Sequence, residues 1–78
     1  MSILSINKSK SATDVNFSES KMTITLEDGR ELSVPLEWFP KLRNASQQQL
    51  IKWRFIGNGE GIHWEELDED ISVERLID

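Results

Sequence analysis

The sequence predicts a small α+β domain: an antiparallel sheet of two hairpins plus an extra strand, with short helices packed on one face. Three observations carry this. Two stretches that alternate apolar and polar side chains flank glycine-centred turns, the pattern of half-buried antiparallel strands. Between them a proline-bounded stretch, Val34-Pro35-Leu36-Glu37-Trp38-Phe39-Pro40, changes the apolar spacing from two to three residues. Finally, 78 residues suffice for one core and no more.

Residues 1–13 read as a mobile lead-in to a single domain over 14–78, because Asn7 to Thr13 are small, polar and unpatterned. Ile3 to Ile6 could contribute a short preceding strand. Val15 and Phe17 alternate with Asn16 and Ser18, predicting the first strand from Asp14. Met22, Ile24 and Leu26 share one face of the next strand, with Thr23 and Thr25 on the other. Its partner is residues 30–34, and the faces decide the register. A two-residue loop would set Thr25 against Leu32, whereas a three-residue Glu27-Asp28-Gly29 loop sets Ile24 against Leu32 and Met22 against Val34. That loop places Gly29 at the left-handed position of a type I turn with a G1 bulge.

Pro35 has no N–H for the ladder and ends the strand. Leu36, Phe39 and Leu42 then mark one helical stripe, with a new turn starting at Pro40, whose fixed φ suits a first helical position. Ser46 and Gln49 have capping-box spacing, predicting a short helix over 47–52 with Leu50 and Ile51 inward. Asn58-Gly59 signals a hairpin with a type I′ turn, which puts Trp53 opposite Trp64, Phe55 opposite Ile62 and Arg54 opposite His63. Ser72 is placed to start a last turn in which Val73, Leu76 and Ile77 face the sheet.

The net charge of −5 is uneven: residues 1–59 carry +2 and residues 60–78 carry −7. Nucleic acid and anionic membrane are thereby disfavoured as partners, since both require clustered Lys or Arg, while a basic protein suits the acidic end. There is no cysteine, which removes disulfide, thiolate-zinc and cysteine-nucleophile chemistry and fits a reducing compartment. No positively charged start with an apolar run follows Met1, and no stretch of about 18 apolar residues occurs, so the expected location is the cytoplasm.

In order along the chain come Asp28-Gly29-Arg30, Val34-Pro35-Leu36, Trp38-Phe39-Pro40, Leu42, Ala45 and Trp53. Gly61-Ile62-His63-Trp64 and Leu67-Asp68-Glu69-Asp70-Ile71-Ser72-Val73 follow, with Leu76 last. From about residue 13 to 78 this series closely resembles the bacterial domain-of-unknown-function family twenty-four forty-two. The resemblance implies an α+β fold. Some longer members of that family carry a helix-turn-helix module after this domain, and some lie beside a small toxin-like partner, which implies an antitoxin-type role for them. The sequence to Asp78 contains no such module, so no direct DNA role is carried over, and the family brings no catalytic residues with it.

Each candidate site also has a plainer structural role. Gly57-x-Gly59-x-Gly61 lacks the third glycine, the lysine and the following helix of a phosphate loop, and Glu60 would repel an anion; a turn explains it. Asp68, Asp70, Ser72 and Glu74 alternate like the first calcium-loop ligands, but Val73 stands where the turn glycine belongs. His63 is the sole histidine, which rules out a multi-histidine zinc site within one chain. Trp38 lies off the Leu36-Phe39-Leu42 stripe and is the tryptophan expected at the surface, beside Lys41 and Arg43. The sequence therefore favours a non-enzymatic protein-interaction domain that uses Trp38, Lys41, Arg43, His63, Asp68, Glu69 and Asp70, with no cofactor. Its expected partner is a neighbouring toxin-like basic protein. The alternatives are a metal-binding or enzymatic domain using His63 with Asp68 and Asp70, and a subunit that homodimerises through a sheet edge.

Overall fold

The computed structural model describes residues 10–77, and residues 3–6, with any strand there, lie outside that range. Six strands alternate with short helical turns: β1 (Ala12–Phe17), β2 (Lys21–Leu26), β3 (Glu31–Pro35), a 3₁₀ turn (Leu36–Trp38), α1 (Pro40–Arg43), α2 (Gln47–Leu50), β4 (Trp53–Ile56), β5 (Gly61–Trp64), β6 (Glu69–Ser72) and α3 (Val73–Ile77). The α+β class expected from the sequence is the one observed. The strands divide between two three-stranded antiparallel sheets, ordered β1-β2-β3 and β4-β5-β6, rather than forming one.

In the first sheet Met22 faces Val34 and Ile24 faces Leu32, the register that the apolar faces demand. Leu26 N–H donates to the Arg30 carbonyl at 2.8 Å and Gly29 N–H to the Leu26 carbonyl at 3.0 Å, with Gly29 at φ +95°, as a G1 bulge requires. The Asp28 carboxylate fastens the loop by accepting from the Arg30 amide at 3.0 Å and from its Nε at 2.9 Å. β1 starts at Ala12, two residues before the alternation becomes visible, because a bulge between Ala12 and Asp14 hides the period. Ala12 and Val15 are buried as a result.

The second hairpin has the predicted partners, Trp53 with Trp64, Arg54 with His63 and Phe55 with Ile62. Its turn differs from the expectation. Pairing stops at Ile56 and Gly61, and Glu60 N–H donates to the Ile56 carbonyl at 3.1 Å, closing a four-residue loop. A type I′ turn needs positive φ at both Asn58 and Gly59, whereas here Gly57 (+63°) and Gly59 (+86°) adopt it. The cause lies in tertiary packing, since the loop is drawn against β1. Ala12 N–H donates to the Gly59 carbonyl at 2.7 Å, and a Cβ on Gly59 would stand 2.1 Å from the Ala12 carbonyl oxygen. Gly59 is thus a point where the two sheets touch backbone to backbone.

β6 is the strand that the sequence did not announce. Glu69, Asp70 and Ser72 look like surface loop, and Ile71 is the single buried side chain of this strand. Pairing with β5 nevertheless aligns Ile71 with Ile62 and Asp70 with His63. Between the sheets the helical segment supplies Leu36, Leu42 and Leu50, all buried. Ser46 accepts from Gln49 N–H while Gln49 accepts from Ser46 N–H, the predicted capping box. α2 ends after Leu50, however, and Ile51 is 66% exposed instead of inward. Neighbours on a helical turn point about 100° apart, and here Leu50 takes the inward direction while Ile51, at the C-cap, points out.

Trp64 is the centre of that core. It is 1% exposed, its Nε1–H donates to the Leu50 carbonyl at 2.9 Å, and Phe17 meets it edge-on at 6.4 Å. One side chain therefore joins the second sheet to α2 and to β1. Val73 is fully buried, and Leu76 and Ile77 pack against the same cluster.

Candidate functional site

Trp38 is held out from the surface by the two prolines around it. Pro35, at φ −64° and ψ 134°, ends β3 and starts the 3₁₀ turn, and Pro40 starts α1. Phe39 N–H closes the turn on the Leu36 carbonyl at 2.9 Å. Leu36 and Leu42 bury, so the intervening Trp38 projects outward at 66% exposure. Lys41 and Arg43, both exposed, follow on α1.

Lys41 connects this corner to the acidic end of the chain, its Nζ donating to the Asp68 carbonyl at 3.0 Å. Asp68 is the one described non-glycine residue with positive φ, at 51°. Asx side chains tolerate that region, and the conformation reverses the chain from β5 into β6. Glu65 and Glu66 of the same turn lie 3.7 Å from Arg54 Nε and 3.4 Å from Lys52 Nζ. Such exposed pairs contribute about 0–1 kcal/mol each, so they align the turn more than they stabilise it. Glu69 turns back on its own strand, accepting from the Asp70 amide at 3.2 Å.

His63, half-buried, occupies a different surface. Its strand neighbours on the outward face of the second sheet are Arg54 and Asp70, and Asp70 Oδ1 meets its Nδ1 directly. A carboxylate on Nδ1 fixes the tautomer and leaves Nε2 to accept or pass a proton, the orienting arrangement of many acid–base histidines. Of the predicted residues the structure thus joins Lys41 with Asp68, and His63 with Asp70. It brings no Asp68 carboxylate contact to His63.

The calcium-like spacing does not close on a point. Asp70 and Ser72 belong to a paired strand, while Glu74, on α3, is bound by Lys10 at 2.9 Å. The lysine's hydrogen bond and charge hold the Glu74 carboxyl below the usual range. Among the described residues no three His, Asp or Glu side chains gather as a metal would require. No helix among them is long and apolar enough to cross a membrane.

Sequence reasoning missed a groove of about 580 Å³ between β1 and α2, whose lining includes Phe17, Leu50, Ile51 and Trp53. The adjacency of Leu50 and Ile51 on a one-turn helix was the available signal.

Two three-stranded sheets around one buried tryptophan, with short helices between them, define a small α+β domain class. Residues 12–78 match the family described as protein of unknown function (DUF2442), and the chain belongs to that family. It is similar to a protein of unknown function from Rhodospirillum rubrum, solved by crystallography, with 30% identity over 91% of this chain and 87% of the other, at a TM-score of 0.76. It is also similar to an uncharacterised protein from Chromobacterium violaceum, solved by NMR, with 25% identity over 86% of this chain and 63% of the other, at a TM-score of 0.72. No curated protein matches the chain.

Proposed function

We propose that this domain is a non-enzymatic protein-interaction module of the cytoplasm that binds a small basic protein, as the antitoxin-like half of a pair. The observation that carries the reading is Trp38, two-thirds exposed on a turn between two prolines whose fixed φ restrains the backbone there. A restrained backbone lowers the ordering cost of docking, and tryptophan leads the residues that dominate binding energy. Lys41, three residues after Trp38, donates to the Asp68 carbonyl in the acidic turn of residues 65–68. The −7 charge over residues 60–78 then steers a cationic partner toward that corner. The same charge works against nucleic acid and anionic membrane.

The test is calorimetric titration with the purified product of the adjacent gene. Trp38→Ala is expected to weaken binding roughly 30-fold, the effect of removing about 2 kcal/mol at a hot spot. Neutralising Asp68, Glu69 and Asp70 together should slow association at low salt and matter little near ~1 M salt, where charges are screened beyond about 3 Å. Absence of binding at low salt overturns the proposal.

A second reading rests on the contact of Asp70 with His63, which suits proton transfer or ligation of a metal through Nε2. Titration with zinc, manganese, magnesium and calcium tests it. Unchanged heats between the wild-type domain and His63→Ala remove it.

A further inference from the structure

The groove lies where the two sheets part. β1 and β4 are each the outermost strand of their sheet. They are joined at one end by the Ala12 to Gly59 bond, and toward the other Phe17 and Trp53 both line the groove. The direction of the peptide groups along β1 follows from its turn. Ser18 N–H bonds the Lys21 carbonyl at 2.9 Å, and antiparallel pairs alternate, so Asn16 exchanges its bonds with Thr23. Val15 and Phe17 therefore direct their peptide groups along the open edge. The Asp14 carboxylate accepts from the Val15 amide at 2.9 Å, which leaves the Val15 carbonyl and both Phe17 groups facing outward.

We propose that the groove binds an extended peptide of a partner protein, added as a strand to β1, with a large apolar side chain over Leu50 and Trp53 and a Lys or Arg beside Glu19. An edge with outward peptide groups templates such pairing, and the neighbouring apolar wall selects alternate side chains. Charge decides the occupant. Glu19, in the turn after β1, is the charged residue of the lining, and Asp14 lies on β1 itself. A cationic peptide complements that edge, whereas β1 of a second copy would bring a further Asp14 and no Lys or Arg to meet it. Trp38 does not line the groove, so this site stands apart from the partner face described above.

The experiment is an amide and indole NMR titration of the full chain with a capped peptide alternating Val and Phe with Lys. The controls are the same peptide with Glu for Lys and one N-methylated at alternate amides. Expected are shifts centred on Phe17, Ser18, Ile51 and the Trp53 indole, with each control binding at least tenfold more weakly. Ile51→Lys, a change at an exposed position, should weaken binding to a similar degree without altering the fold. Shifts centred elsewhere, no shift at millimolar peptide, or equal binding by the N-methylated control overturn the proposal. So do contacts to the Phe17 ring, in the free protein, from a second copy or from Ile3 or Leu4 of the same chain.

Discussion

Replacing Gly59 by Ala tests the junction on which the two-sheet arrangement depends. The new methyl group would stand 2.1 Å from the Ala12 carbonyl oxygen and 2.8 Å from its nitrogen, both backbone atoms that no rotamer change can move. Gly59 also sits at φ +86°, where a side chain costs about 1–2 kcal/mol. Moving β1 away to relieve the clash breaks the 2.7 Å bond between Ala12 N–H and the Gly59 carbonyl, a further loss of about 0.5–1.5 kcal/mol. With the lost packing at the junction, the total is about 3 kcal/mol or more, against about 4–12 kcal/mol of total stability for a domain of this size. Gly29→Ala is the control, since its φ is +95° but nothing lies within 4 Å of the added Cβ. It should lose only the backbone share, about 1–2 kcal/mol. Urea unfolding followed by Trp fluorescence reads both, and with a slope near 1 kcal/mol/M the midpoints should fall by about 3 M and 1–2 M. Equal losses, within about 0.5 kcal/mol, would show that the close approach of Gly59 to Ala12 has no energetic weight.

Four further outcomes follow from the same structure. Trp64→Phe removes the donor to the Leu50 carbonyl and leaves a void, so thermal unfolding should report a loss of about 2–4 kcal/mol. Trp38→Ala should change stability by no more than about 0.5 kcal/mol, because the side chain is mostly solvated; a larger loss in the same melt would return Trp38 to the core. Ser46→Ala breaks the capping box and should cost about 1 kcal/mol in urea unfolding. Glu74, its carboxyl lowered by Lys10, stabilises the fold above the usual carboxylate range, and that share disappears as pH falls through the lowered value. It is exposed, so Glu74→Gln should only slightly flatten the acid limb of a stability-versus-pH curve, and a large change would mean that α3 is tied down chiefly by this pair.

The elements that the sequence reveals are those in which local pattern and tertiary demand agree. Met22, Ile24 and Leu26 alternate without interruption, and Gly29 suits the turn that their register requires, so the first hairpin can be derived to the residue. The Trp53 to Trp64 pairing was likewise legible. Its turn was not, because the loop conformation answers to Ala12, some 47 positions away in sequence. β6 escaped for a related reason: one apolar residue, Ile71, among carboxylates carries no period, and the strand exists because β5 supplies a partner. At the surface, the stripe of Leu36, Phe39 and Leu42 was enough to place Trp38 outside. The contacts of Lys41 with Asp68 and of His63 with Asp70 depend on how a turn and a strand pair fall together, which spacing alone does not encode.

Cross-saturation NMR between the domain and the purified product of the adjacent gene tests the binding reading most directly. Saturation is expected to transfer to the Trp38 indole first, and to the amides of Lys41 and Asp68 next. Transfer to the opposite surface, with Trp38 untouched, would contradict it.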